Sequence, residues 1–251
     1  MTDSLKNLIL VHSYDGTSFY GWQKTKIGPS IEEALEKALQ KILQEEISLN
    51  VASRTDRGVH ARRQIANFLT KKDLGDPAAL QQSLNALLPS EIRILEIQEK
   101  PFSFHPTLDA RQKEYHYYLC LGPVQLPFHA DFSWHFPYSL DLTAMQEAAK
   151  HLTGSHDFRA FTNRRDPPHQ ETICTLQSIE ILPLQNNRLC IKIFGDHFLY
   201  KMVRNIAGTL LYIGAGKILL QDLPIIIKNK DRTYAGMTAP AHGLFLQKIY
   251  Y

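Results

Sequence analysis

The chain has 251 residues, 44% of them apolar and 21% charged, which suits one large domain or two small ones and excludes extensive disorder, collagen-like repeats and low-complexity character. Its 28 basic and 25 acidic side chains leave a formal charge of +3, too small to mark a polyanion binder by itself, so the local distribution of charge has to decide. No apolar run approaches the roughly 18 residues of a membrane helix, and the opening stretch has only Leu8, Ile9, Leu10 and Val11 as an apolar core, so an unprocessed, cytoplasmic protein is expected.

Residues 7–11 read as a buried strand, and Tyr14-Asp15-Gly16-Thr17 supplies turn chemistry after it. Ser30 and Glu33 form a capping box, and Ile31, Ala34, Leu35, Ala38, Leu39, Ile42 and Leu43 then recur at helical spacing, which predicts an amphipathic helix with one buried face. Ile47, Leu49 and Val51 alternate with polar residues as a half-buried strand does; residues 64–69 read as another short strand, leaving 53–63 as a loop. Asp76-Pro77 is an N-cap followed by a first-turn proline, opening a helix through Leu88, and 92–97 returns as a strand. The first half is thus β-α-β-β-α-β.

Beyond the proline-containing passage 101–106, residues 114–121 form a tyrosine-rich strand pattern. Helical periodicity follows over 140–152, strands over 172–182 and 188–194, a helix over 198–213, a short helix after Asp222 and a final strand over 244–250. The order resembles the first half without a detectable sequence repeat. Sequential α and β elements with hairpin-like strand pairs favour an α+β class over a doubly wound parallel sheet, with the halves divided as 1–105 and 106–251. Cys120, Cys174 and Cys190 are far apart in apolar strand-like runs and read as buried free thiols; no CxxC or HxxxH is present to hold zinc.

The densest chemistry lies at Arg54-Thr55-Asp56-Arg57-Gly58-Val59-His60-Ala61-Arg62-Arg63, four arginines against one aspartate. A solvated turn made by Asp56 and Gly58 is one reading. The other is a carboxylate held ionised beside guanidinium groups, able to act as nucleophile or general base.

The motifs together resemble the tRNA pseudouridine synthase A (TruA) family. The family's Arg-Thr-Asp-x-Gly-Val-His-Ala loop is similar to residues 54–61, its Tyr-Asp-Gly-Thr-x-Phe-x-Gly-Trp-Gln block to 14–23, and its Phe-His and Tyr-x-Tyr signatures to Phe104-His105 and Tyr115-His116-Tyr117. Gly154-Ser155-His156-Asp157-Phe158, Met202-Val203-Arg204-Asn205-Ile206 and Ala239-Pro240-Ala241-His242-Gly243-Leu244 match three further blocks, all in chain order. Arg57 stands where the family has a small residue, and Glu171 where a basic one is common.

The resemblance implies a pseudouridine synthase fold: two RRM- or ferredoxin-like α+β halves, with antiparallel sheets meeting around a central basic cleft. It also implies isomerisation of uridine to pseudouridine at positions 38, 39 and/or 40 of the tRNA anticodon stem-loop, by a cofactor-free and metal-free homodimer. Asp56 is then the catalytic carboxylate, acting by attack on C1′, by addition to the ring or by deprotonating the sugar. Arg204 is its implied partner, and Arg54 pairs with Asp56 or with a phosphate. By the strand period, Tyr115 shares a face with Tyr117 while His116 and Tyr118 take the other; Tyr115 is either core or the ring that stacks on the target base and assists proton removal from C5. Leu244 is a core leucine or a wall of the base pocket, and His60 a loop-stabilising hydrogen-bond former. Arg57, Arg62, Arg63, Arg164 and Arg165, together with Arg111, Lys113, Arg159 and Lys201, are the candidates for tRNA contact.

Overall fold

Ser30 is extended (φ −126°) and its Oγ accepts the Glu33 amide at 3.3 Å, the capping that starts helix α1 (Ile31–Leu43) in the computed structural model, which describes residues 5–164 and 172–251. The Glu33 carboxylate meets Lys37 one turn on, at 2.5 Å. Ile31, Leu35, Leu39 and Leu43 follow each other at four-residue spacing and are buried, as the periodicity predicts. Gln44 ends the helix in the left-handed region (φ 53°), its amide returning to the Gln40 carbonyl.

The chain divides into two compact units, Met1–Arg111 with Leu246–Tyr251, and Gln112–Phe245. The first holds β1 (Lys6–Tyr14), α1, β2 (Asn50–Val51), β3 (His60–Thr70), α2 (Pro77–Leu87) and β4 (Ile92–Lys100), in the expected β-α-β-β-α-β order. Its strands run β4-β1-β3, both pairings antiparallel, with β2 beside β3. Strand β10 (Leu244–Tyr250) is the next neighbour of β3, which explains why the last residues of the chain count with its first unit. Arg111 closes the same unit by donating its amide to Tyr250.

The Asp76 carboxylate accepts the Ala78 amide at 2.9 Å to start α2, and α2 then covers the edge strand. Asn85 both donates to the Ile94 carbonyl (2.9 Å) and accepts the Ile94 amide (2.8 Å), so backbone groups of β4 that a further strand would use are already occupied. The Ile47-Leu49-Val51 alternation yields less strand than expected. Ile47 and Leu49 are buried, but only Asn50–Val51 pair, opposite Asn67 and Ala66.

The second unit contains β5 (Gln112–Cys120), α3 (Pro127–Ala130), β6 (Trp134–His135), α4 (Leu142–Leu152), β7 (Gly154–Asp157), β8 (Ile173–Leu184), β9 (Arg188–Gly195), α5 (Met202–Gly214) and α6 (Leu223–Asn229). Its strand order is β5-β9-β8-β7, antiparallel throughout, with β6 parallel to β5. Both units are therefore α+β. Elements α3, β6 and β7 are too short for a periodicity to announce them. Helix α5 starts at Met202 rather than at 198, because Lys201 takes a left-handed conformation (φ 61°) that no helix continues through. Cys120, Cys174 and Cys190 are free and buried. The Cys174 thiol is pushed up to about 12, by burial first and then by Asp196 and Asp157, so it stays protonated at neutral pH.

Candidate active site

The loop that carries Asp56 is held from behind by the 14–23 block, in the first unit. Helix α1 begins the chain of ties: its first-turn amides Ile31 and Glu32, which have no partner inside the helix, donate to the carbonyls of Gly21 and Trp22. Trp22 in turn donates its amide to the Thr55 carbonyl at 3.0 Å, and the Thr55 hydroxyl shares a 2.7 Å hydrogen bond with Tyr14. Gly21 has φ +95°, and a Cβ there would fall 2.7 Å from the Thr55 carbonyl oxygen and 3.1 Å from the Arg57 nitrogen, so only glycine lets the two segments approach this closely. Asp56 itself is half-exposed, in a turn closed by the Val59 amide on its own carbonyl (3.1 Å) with Gly58 at φ +76°.

His60 is buried and accepts the Gly16 amide at its Nδ1 (3.1 Å), with the Asp15 carboxylate at the same distance; it ties the loop to the 14–16 turn. Strand β3 begins at His60, ahead of the expected residue 64, so Arg62 and Arg63 lie on a strand and not in the loop. The register passes from His12–Gln64 to Tyr14–Ala61, a bulge that leaves both neighbouring arginines exposed where strict alternation would bury one.

In the second unit, Tyr115 and Tyr117 share the buried face of β5 and His116 and Tyr118 the other, with the His116 Nδ1 3.2 Å from the Tyr118 hydroxyl. The Tyr115 ring meets Phe198 edge-on at 5.0 Å. Tyr117 donates its hydroxyl to the Pro240 carbonyl at 2.8 Å, and burial pushes that hydroxyl well above the usual range against the opposing pull of Arg204. Arg204, half-buried in the first turn of α5, donates its Nε to the Ala239 carbonyl (2.7 Å), while the Ala239 amide returns to the Arg204 carbonyl (3.1 Å). Gly243 lies so close to Tyr117 that a Cβ would come within 2.8 Å of its ring, and Leu244 follows, buried. The 115–117, 202–206 and 239–244 blocks thus interlock.

A family model described as tRNA pseudouridine synthase matches residues 10–109 and 148–251. The tRNA pseudouridine synthase A 2 of Protochlamydia amoebophila is 51% identical over 252 residues, covering 100% of this chain and 96% of that one. The tRNA pseudouridine synthase A of Thermoanaerobacter sp. strain X514 is 40% identical over 98% of this chain and 100% of its own length. This chain belongs to the tRNA pseudouridine synthase family.

The two matched segments contain the Asp56 loop with its support and the Arg204–Ala239 pairing, while the 115–117 block falls between them. Arg54, Arg57 and Arg164 are exposed, as is Arg111, whereas Lys113 is only half-exposed and burial pushes its amine down. Arg63 lies 3.6 Å from Glu96. Lys201 is half-exposed over the Tyr200 ring, and Arg159 is half-exposed. Arg165 and Glu171 lie outside the described residues. The Gly154–Asp157 block is β7, and Asp157 caps the turn after it by accepting the Arg159 amide. Sequence reasoning missed Tyr20, whose ring lies under the Arg57 guanidinium; the two positions carry no local signal that they touch.

Proposed function

We propose that the protein isomerises uridine to pseudouridine in tRNA, at positions 38, 39 and/or 40 of the anticodon stem-loop, with Asp56 as the reacting carboxylate. The observation that carries this is the Asp56 turn itself: a half-exposed aspartate preceded by Thr55, which Trp22 and Tyr14 hold by hydrogen bonds, packed against Gly21 and flanked by exposed Arg54 and Arg57. A turn that only connects two strands needs no such support.

The reaction breaks the C1′–N1 bond, turns the base, joins C5 to C1′, and exchanges the proton on C5 for one on N1. Atoms and electrons balance without a redox or group-transfer cofactor. Attack on C1′, addition to the ring and deprotonation of the sugar all use the Asp56 carboxylate as an anion. In this reading Arg54, Arg204 and Tyr115 complete the catalytic group, Tyr115 and Leu244 bound the base, and Arg57, Arg62, Arg63, Arg164 and Arg165 meet the tRNA. Residues 1–105 supply the Asp loop and 106–251 complete the site, in a cytoplasmic homodimer.

Tritium release from tRNA labelled at uracil C5 tests the proposal. Wild type should release label from the anticodon stem-loop and Asp56→Asn should not, with tRNA affinity retained. Free uracil among the products would make the protein a glycosidase. Binding without release by wild type would make it an RNA-binding protein on the same scaffold.

A further inference from the structure

We infer that Arg57 and Tyr20 form a stacking platform for the base adjacent to the target uridine, so that this pair helps set which anticodon-stem sequences the enzyme prefers. The inference rests on the reading of Asp56 as the reacting carboxylate, since Arg57 is the next residue in the chain.

The Arg57 Cζ lies over the Tyr20 ring, 4.1 Å from its centroid. Both partners are fixed from below. The Tyr20 amide donates to the Pro29 carbonyl at 2.8 Å, and Gly28 is so close to the ring that a Cβ would come within 2.4 Å of Cε2. The Arg57 backbone lies against Gly21 on one side and is followed by Gly58, with φ +76°, on the other. Tyr20 is half-exposed and Arg57 exposed, so the guanidinium over the ring stays open to solvent at the residue next to Asp56 in the chain.

That geometry selects a class of ligand. A guanidinium held over a ring loses freedom to swing toward a phosphate, but it presents a planar, weakly hydrated cation, which is the surface an unstacked nucleobase takes. Drawing a uridine out of a stem strips its neighbour of a stacking partner, and a plane placed next to Asp56 replaces it. The sequence blocks point the same way. Residue 20 is an unspecified position in the Tyr-Asp-Gly-Thr-x-Phe-x-Gly-Trp-Gln block, and residue 57 is the unspecified position of the Arg-Thr-Asp-x-Gly-Val-His-Ala loop. One open position of each block is thus in contact with the other, and a small residue at 57 would leave the ring bare.

The test uses the full chain and tRNA transcripts identical except for a purine, a pyrimidine or an abasic residue on either side of the target, with tritium release giving kcat/KM for each. Wild type should favour the purine over the abasic transcript at one of the two flanks, by about 10-fold on the usual strength of base–aromatic stacking. Arg57→Lys, which keeps the charge and loses the plane, should erase that preference as fully as Arg57→Ala does, and Tyr20→Leu should do so with an unchanged melting curve. Retention of the preference in Arg57→Lys would make Arg57 a phosphate contact and overturn the platform. So would an active wild type indifferent to both flanks. A wild type that releases no tritium from any transcript would instead remove the underlying assignment of Asp56.

Discussion

His12 lies wholly inside the first unit, with ring centroids of Tyr14 and Trp22 at 6.0 and 5.4 Å and its Nδ1 donating to the Leu10 carbonyl at 3.1 Å. Its Nε2 is buried with no hydrogen-bond partner among the described residues, so the ring has nothing there to share a second proton with. Burial lowers its pKa from 6.5 to about 4, against a smaller opposing effect of the Leu10 carbonyl. Between those values the unfolded chain binds a proton that the folded chain refuses, so this contribution to stability is complete above about pH 6.5 and is lost as pH falls toward about 4. The total is about 3 kcal/mol at 1.36 kcal/mol per unit. Urea unfolding of wild type and His12→Phe at pH 7.5 and pH 4.5 isolates it: the stability difference between the two proteins should shift by most of that amount in favour of the variant at the lower pH. Parallel curves would mean that His12 charges in the folded state. Because Tyr14 also bonds Thr55, acid should loosen the Asp56 loop along with the core.

At the scale of the element, α5 owes its position to Asn205. This fully buried side chain donates to the Phe161 carbonyl (2.6 Å) and the Asn163 Oδ1 (2.7 Å), and accepts from Arg232 Nη2 (2.8 Å) and the Thr238 hydroxyl (2.6 Å). It therefore joins the first turn of α5 to three separate segments, one of them leading directly into the Ala239–Pro240 carbonyls that hold Arg204 and Tyr117. Glycines set the remaining distance: a Cβ on Gly208 would fall 1.8 Å from the Met237 carbonyl oxygen. Asn205→Ala leaves several buried groups without partners and should cost about 2–4 kcal/mol, read as a lower urea midpoint. Asn163→Ala removes one exposed partner of the same network and should cost about 1 kcal/mol or less. Equal losses would mean that Asn205 is not the hub.

For the whole molecule the relevant electrostatics is local. A formal charge of +3 over 251 residues gives little long-range attraction for tRNA, yet Arg54, Arg57, Arg62 and Arg63 are all exposed in and just beyond one loop of the first unit. If about six phosphates are contacted, log K for tRNA against log salt should slope by about −4 to −5. Equilibrium binding at four or more salt concentrations measures this, and a slope near zero would remove Arg54, Arg62 and Arg63 as phosphate contacts. Among the described residues no helix is long and apolar enough to cross a membrane.

What the sequence by itself determined are features whose causes are local. The Ser30 and Asp76 caps, the spacing of Ile31, Leu35 and Leu39, and the two faces of the Tyr115–Tyr118 strand all depend on residues within a turn or two of one another, and each forms as its pattern predicts. The motif blocks were legible for the same reason, each being a short run. What only the tertiary structure decided depends on groups far apart in the chain. Strand β3 reaches back to His60 because β1 pairs with it there, and the bulge in that pairing exposes both Arg62 and Arg63. Ile47 and Leu49 are buried without a strand ladder, while β10 lies beside β3. The support of Asp56 by Trp22 and Gly21, and the placing of Tyr20 under Arg57, arise from backbone contact between two loops. Neither loop has a periodicity to reveal its partner, so folding alone brings their residues together.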